Sequence, residues 1–147
     1  MTRALLTVTL TLLTLPLLGC EDHGPDDHDG GGAHVHVAPH GGSLVEVGDH
    51  EANLEFVRDQ EDGSLTVWVL GPHAQKPLVP SQDRMVLEMF HPARGGAIQV
   101  TLQQDPVEQH RFRAESTDLE GLDHLEGVVL SLELAGKKHV RQPFVLD

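Results

Sequence analysis

The chain has 147 residues, of which 39% are hydrophobic and only 3% aromatic, and its formal net charge is -13. This length suits one compact domain with short extensions, and the core must rely on Val and Leu. We expect neither nucleic acid nor anionic lipid surfaces to be partners, because both would repel so acidic a chain. An acidic surface that also carries histidines attracts cations instead.

Residues 1–19 have the pattern of a secretory signal peptide. A single Arg3 precedes an apolar run from Ala4 to Leu18, which is broken only by Thr residues and Pro16. The run is shorter than the roughly 20 apolar residues that cross a bilayer as a helix. We therefore expect a cleaved leader and not a retained transmembrane helix.

The leader is followed by the only cysteine of the chain. Leu17-Leu18-Gly19-Cys20 resembles the lipobox of bacterial lipoproteins. The resemblance implies cleavage before Cys20, lipidation of its thiol, and a mature protein held on a membrane with its soluble part outside the cytoplasm. A lone cysteine in an oxidising compartment favours the same interpretation. The alternative is an ordinary secretion signal that is cut near Gly19 and leaves Cys20 free.

Residues 20–33 are predicted to be a disordered, acidic tether rich in His and Gly. The stretch from Glu21 to Gly32 has no large apolar residue to bury, so it cannot form a core. Its His23 and His28 offer weak metal ligands, and a purely solvated spacer is the competing interpretation. The folded domain is expected to occupy residues 34–147.

From Ser43 onward, short apolar runs separated by turn signals predict strands and almost no helix. Glu61-Asp62-Gly63 and Ala135-Gly136-Lys137 are typical of hairpin turns. The stretch from Thr117 to Glu126 is expected to be a loop that packs its leucines, with a single helical turn as the alternative. Eight strands are predicted: Ser43–Val47, Ala52–Arg58, Ser64–Leu70, Arg84–Phe90, Ala97–Leu102, His110–Glu115, Gly127–Leu134 and Lys138–Val145. The expected fold is an all-β, antiparallel, immunoglobulin-like β-sandwich, with a small β-barrel as the alternative.

A cluster of histidines lies at the beginning of the predicted domain. Alternate side chains of an extended chain share one face, so His34 and His36 project together about 7 Å apart. Pro39 and Gly41-Gly42 favour a turn that brings His40 back towards them. Neutral imidazole suits Zn, Cu, Ni and Co. The sequence therefore predicts a site for a divalent transition metal, Zn or Cu foremost, at these three histidines.

Glu55 is the expected carboxylate of this site. It lies between Leu54 and Phe56 in a predicted strand, where an acid is unfavourable unless it is exposed or paired. His50, Glu51 and His73 are secondary candidates. In the competing interpretation, His34 and His36 simply extend the solvated tether. Trp68 is expected to belong to the core.

A longer resemblance covers residues 36–70 and is carried by Pro39-His40-Gly41-Gly42, by Asn53 to Val57 around Glu55, and by Leu65 to Leu70. These residues resemble small bacterial periplasmic lipoproteins and the N-terminal region of some periplasmic adaptor subunits of heavy-metal efflux pumps. The resemblance implies heavy-metal homeostasis outside the cytoplasm, with a metal efflux transporter or adaptor as partner. His40 and Glu55 are the positions that it carries over.

Two functions follow from these observations. In the first, a lipid-anchored protein of the bacterial cell envelope, facing the periplasm or exterior, binds a divalent transition metal for buffering or for delivery to an efflux system. In the second, the domain is a structural or protein-interaction module on a flexible acidic stalk, with no specific metal site. No nucleophile elbow, phosphate loop or His-Glu-x-x-His motif occurs, so the protein is not expected to be an enzyme.

Overall fold

The computed structural model describes residues 36–91 and 95–147. The predicted signal peptide, Cys20 and the tether lie outside these residues, and so does His34. Within the part that is described, no helix combines the length and the apolar character needed to cross a membrane.

Eight strands make up the described fold, and the all-β expectation is confirmed. Each strand begins and ends within two residues of its predicted bounds. The strands are β1 (Ser43–Val47), β2 (Ala52–Asp59), β3 (Ser64–Leu70), β4 (Arg84–His91), β5 (Gly96–Gln104), β6 (Arg111–Glu115), β7 (Leu125–Leu134) and β8 (Lys137–Leu146). Between β6 and β7, Thr117–Leu119 forms one 3-10 turn, and its Leu119 is buried. This turn agrees with the alternative prediction of a single helical turn in that stretch.

The strands form one antiparallel sheet in the order β1-β2-β3-β6-β5-β4-β7-β8. Its two outer strands approach each other. Gln142 in β8 donates a hydrogen bond to the backbone carbonyl of Glu46 in β1 (3.0 Å). The architecture is therefore the small-barrel alternative, a single nearly closed sheet. Near closure protects the free backbone groups of β1 and β8, which an open sheet would leave as exposed edges.

The pairings within this sheet differ in length. The β2–β3 and β7–β8 hairpins pair over most of their residues, as their predicted turns require. Ala135 (φ 48°) and Gly136 (φ 81°) both have positive φ, the geometry of a type I′ hairpin turn. By contrast, β5 and β6 are registered at two residue pairs, Gln103 with Arg113 and Gln104 with Phe112.

The core fills the inside of the curved sheet with alternate residues of each strand. In β2 these are Leu54 and Phe56, and in β3 they are Val67 and Val69. The expectation that Trp68 belongs to this core is wrong. Successive residues of a strand point to opposite faces, so a strand that buries Val67 and Val69 directs Trp68 outward, where it is partly exposed.

The outer face of β2 and β3 carries the polar side chains of the candidate functional site. Glu55 pairs with Trp68 across the two strands, and both Asn53 and Glu55 are buried although they face away from the core. Asn53 is buried beside the loop after β3, where its amide donates to the carbonyls of Gly71 and Pro72. Glu55 is buried because residues 36–42, which we call the strap, cross this face before β1 begins. The approach is close: a Cβ on Gly42 would lie 2.2 Å from the carbonyl oxygen of Phe56.

Candidate functional site

The strap is fastened to the sheet by Glu55, whose side chain is 0% exposed. One carboxylate oxygen, Oε1, accepts hydrogen bonds from the backbone N–H of His40 (2.6 Å) and of Gly42 (3.1 Å). The other, Oε2, lies 2.7 Å from Nδ1 of the His40 ring. A buried carboxylate is tolerated only when donors satisfy it, and the strap supplies all three of these donors.

The His40 ring is held on two sides. Besides its contact with Glu55, it stacks on the Trp68 ring, with 4.0 Å between the ring centroids and 8° between the planes. Its side chain is 37% exposed, so the ring is accessible from solvent while its orientation is fixed. Such a ring is preorganised, because little freedom remains to be lost when a ligand binds.

This geometry determines which nitrogen of His40 is available. A carboxylate in its ionised form only accepts hydrogen bonds, so with Glu55 in that form Nδ1 is the protonated nitrogen of their contact. In a neutral ring the lone pair then belongs to Nε2, which has no hydrogen-bond partner among the described residues. A carboxylate that binds one ring nitrogen while the other faces a metal is the usual support of a metal-binding histidine.

Glu55 therefore stands behind His40. Both of its oxygens are engaged by the strap, and its contact with His40 is at the nitrogen opposite the available one. The chemistry that this position supports is orientation of the imidazole and an increase in its basicity, with His40 providing the ligand atom.

A second contact between histidines lies further along the outer face. The rings of His36 and His73 meet edge to face, with centroids 5.8 Å apart and planes at 77°. His73 belongs to the loop between β3 and β4, which is tied to β2 because the Asn53 side chain donates to the carbonyls of Gly71 (3.1 Å) and Pro72 (3.0 Å). The sequence identified both histidines as candidates but did not pair them.

The predicted ligands are thus divided between two contacts. His40 meets Glu55 and Trp68, and His36 meets His73. Residues 36–91 and 95–147 contain no group of three or more His, Cys, Asp or Glu that could hold a metal ion, and His34 lies outside them. Convergence of His34, His36 and His40 on one ion stays a prediction.

The two remaining candidates, His50 and Glu51, lie in the turn between β1 and β2. His50 Nδ1 is 3.1 Å from Oε2 of Glu46. Glu51 binds Lys137 and lies 3.2 Å from Nε2 of the buried His139, both in β8. The hydrogen bond from Lys137 lowers the pKa of Glu51 below its ordinary value. Glu51 thus helps to close the sheet between the β1–β2 turn and β8.

Trp68 is the site residue that the sequence interpretation assigned to the wrong place. The sequence contained the information needed to place Trp68. The hairpin with its turn at residues 61–63 pairs Asp59 with Ser64, and the same register pairs Glu55 with Trp68. An aromatic ring opposite a buried carboxylate on the outer face indicates that another segment of the chain covers this part of the sheet.

Comparison of the chain with family models, with curated proteins and with solved structures gives no match in any of the three.

Proposed function

We propose that this protein is a lipid-anchored protein of the bacterial cell envelope that binds a divalent transition metal. The proposed ligands are His34, His36 and His40, Zn and Cu are the foremost candidates, and the bound ion is buffered or passed to an efflux system. The observation that carries the proposal is the contact between buried Glu55 and Nδ1 of His40, at 2.7 Å.

The contact supports metal binding through the protonation state that it favours. Imidazole binds a metal only as the neutral ring, through the nitrogen that carries no proton. Glu55 keeps the proton on Nδ1 and so presents the lone pair of Nε2. Loss of such a supporting carboxylate typically lowers metal affinity by about 10–100-fold.

Charge and composition support the same class of ligand. The chain carries a net charge of -13 and eleven histidines, five of them between His23 and His40. The charge draws cations to the surface, and imidazole selects transition metals over Ca and Mg. The leader and Cys20 support a position on the cell envelope, where such ions are encountered before they enter the cell.

A structural or protein-interaction module is the second candidate, and one observation favours it. The three donors that satisfy Glu55 also fasten the strap to the sheet, a role that needs no ion. In that case His40 is a structural residue, and the histidines bind metals only weakly.

Trp68 gives a direct test, since it is the only tryptophan of the chain and its ring stacks on His40. The full chain in detergent micelles is titrated with Zn(II), Cu(II), Ni(II) and Co(II) by calorimetry and by tryptophan fluorescence. Submicromolar one-to-one binding, with Trp68 quenched by Cu(II), is the expected result. A triple variant of His34, His36 and His40 to Ala should lose this binding, whereas His124→Ala should retain it.

Weak binding that is the same in the triple variant and the wild type would contradict the metal-binding proposal. The structural module would then be the better description. His124 is a suitable control because it belongs to neither of the two histidine contacts: it lies before β7, and its Nδ1 contacts Asp147 (2.8 Å).

A further inference from the structure

We propose that His36 and His73 are ligands of one and the same metal ion, so that the ion cross-links the strap to the loop between β3 and β4. The inference rests on the proposed function, since the ion is the same divalent transition metal. It adds His73 to the ligand set and gives binding a structural consequence.

The first support is the separation of the two rings. Imidazole nitrogens lie about 2.0–2.1 Å from a zinc ion, and two such rings at a roughly tetrahedral angle have centroids about 5–6 Å apart. The rings of His36 and His73 have centroids 5.8 Å apart. Binding therefore requires rotation of the side chains and little movement of the backbone.

The second support is the rigidity of the loop that carries His73. Besides the two hydrogen bonds from Asn53, the loop is closed by backbone bonds from Gly71 N to Lys76 O (2.8 Å) and from Ala74 N to Gly71 O (2.9 Å). Ala74 is fully buried. The backbone on both sides of His73 is therefore fixed, while its side chain stays exposed and free to bind.

The third support is the way the strap is held. His40 is held by Glu55 and Trp68, so only three residues separate His36 from a fixed point. Two protein ligands leave coordination positions for water and for the other histidines of the proposed ligand set. An ion at this position would pin the strap a second time, at the end where the chain arrives from the tether.

The test uses the full chain in detergent micelles with Zn(II) and Ni(II). The variants are His36→Ala, His73→Ala, the double variant, and His124→Ala as the matched control. We expect either single substitution to weaken binding at least tenfold and the double substitution to weaken it by less than the product of the two single effects, because ligands of one ion are not independent. The control should bind as the wild type does.

Thermal unfolding supplies a second readout. A ligand that binds only the folded state raises its unfolding temperature, so Zn(II) should raise it in the wild type and much less in His73→Ala. Circular dichroism without metal checks that each variant folds. His73→Cys should restore the effect of Zn(II), because a thiolate is also a zinc ligand.

The outcomes separate the two proposals. If His73→Ala binds as tightly as the wild type while His36→Ala and His40→Ala do not, the cross-link is wrong and the proposed function stands. Additive losses in the double variant would likewise overturn the shared ion. If the wild type binds no metal, both proposals fail.

Discussion

At the scale of single residues, the pairing of Glu55 with His40 makes the protonation of one ring nitrogen the central feature of the site. Three donors converge on a carboxylate that is shielded from water. Hydrogen bonds to an ionised and shielded group are stronger than those between neutral groups. Small chemical changes at residue 55 should therefore have large effects on His40.

Glu55→Gln should reduce metal affinity by about 10–100-fold. The amide N–H₂ of Gln donates to Nδ1, so the ring proton moves to Nε2 and removes the lone pair that binds metal. Calorimetry with Zn(II) measures the loss, and Glu46→Gln, at an exposed carboxylate beside His50, is the control. Equal affinities of Glu55→Gln and the wild type would show that Glu55 does not orient a ligand.

Metal affinity should also fall below about pH 6, because imidazole side chains ordinarily titrate near pH 6.5 and protons compete with the ion for the neutral ring. Titrations with Zn(II) at pH 7, 6 and 5 measure the effect. Affinity that does not change over this range would exclude histidine ligation.

At the scale of secondary-structure elements, the sequence predicted every described strand because the necessary signals are local. Alternation of apolar residues identifies a strand, and Asp62-Gly63 or Ala135-Gly136 marks its end. The face that each residue occupies is set by register. Trp68 was misassigned because hydrophobicity alone does not show that Val67 and Val69 already occupy the core side.

The contacts of the strap could be predicted only in part. Its apolar neighbours in a short strand indicated that Glu55 must be exposed or paired, and it is paired with His40, whereas its part in a metal site stays a prediction. The meeting of His36 with His73 depends on the path of residues 36–42 across the outer face, and no local pattern encodes that path. The same limit applies to any ligand contributed by a loop distant in sequence.

Gly42 should be the most sensitive position of the strap. A Cβ at Gly42 would lie 2.2 Å from the Phe56 carbonyl oxygen, whereas one at Gly41 meets no atom within 4 Å. Gly41→Ala is strained only by its φ of 77°, by about 1–2 kcal/mol. Gly42→Ala should displace the strap, lower the free energy of unfolding by more than Gly41→Ala does, and weaken metal binding. Denaturant unfolding compares the two, and a larger effect at Gly41 would contradict the described path.

The loop between β5 and β6 should contribute an acid-sensitive part of stability. Backbone N–H groups of Glu108 and Val107, together with Arg111, lower the pKa of Asp105 from 3.8 to about 2. A depressed folded-state pKa stabilises the protein above pH 4, and this stabilisation is lost as the pH falls from about 4 to 2. Asp105→Asn should flatten the dependence of unfolding temperature on pH in that window. Asp83→Asn, at an exposed carboxylate, should leave the dependence as in the wild type.

At the scale of the whole molecule, long-range pairings decide between a barrel and a sandwich. β3 pairs with β6 and β4 pairs with β7, which joins strands that are far apart in the chain. The β5–β6 contact then completes a single sheet with two residue pairs. Local sequence patterns do not specify these partners, so the strands were predictable and their order was not.

The proposed anchor makes a prediction at the same scale. Cys20→Ser removes the thiol that would be lipidated, so the protein should move from the membrane fraction to the soluble fraction of cells that express it. Fractionation followed by immunoblotting compares this variant with the wild type. Retention of Cys20→Ser on the membrane would mean that another feature holds the protein there.

The hydrogen bonds that join the strap to Glu55 also have a mechanical consequence. Tension applied to the chain before residue 36 reaches the domain through the strap. β1 forms a backbone ladder with β2 alone, and a ladder pulled from its end separates one pair at a time. The bonds from His40 and Gly42 to Glu55 lie ahead of the first pair, Ser43 with Phe56, so they must break before that force can peel β1 away. A domain pulled through its amino terminus is thus protected at its most vulnerable strand by the same contacts that orient His40.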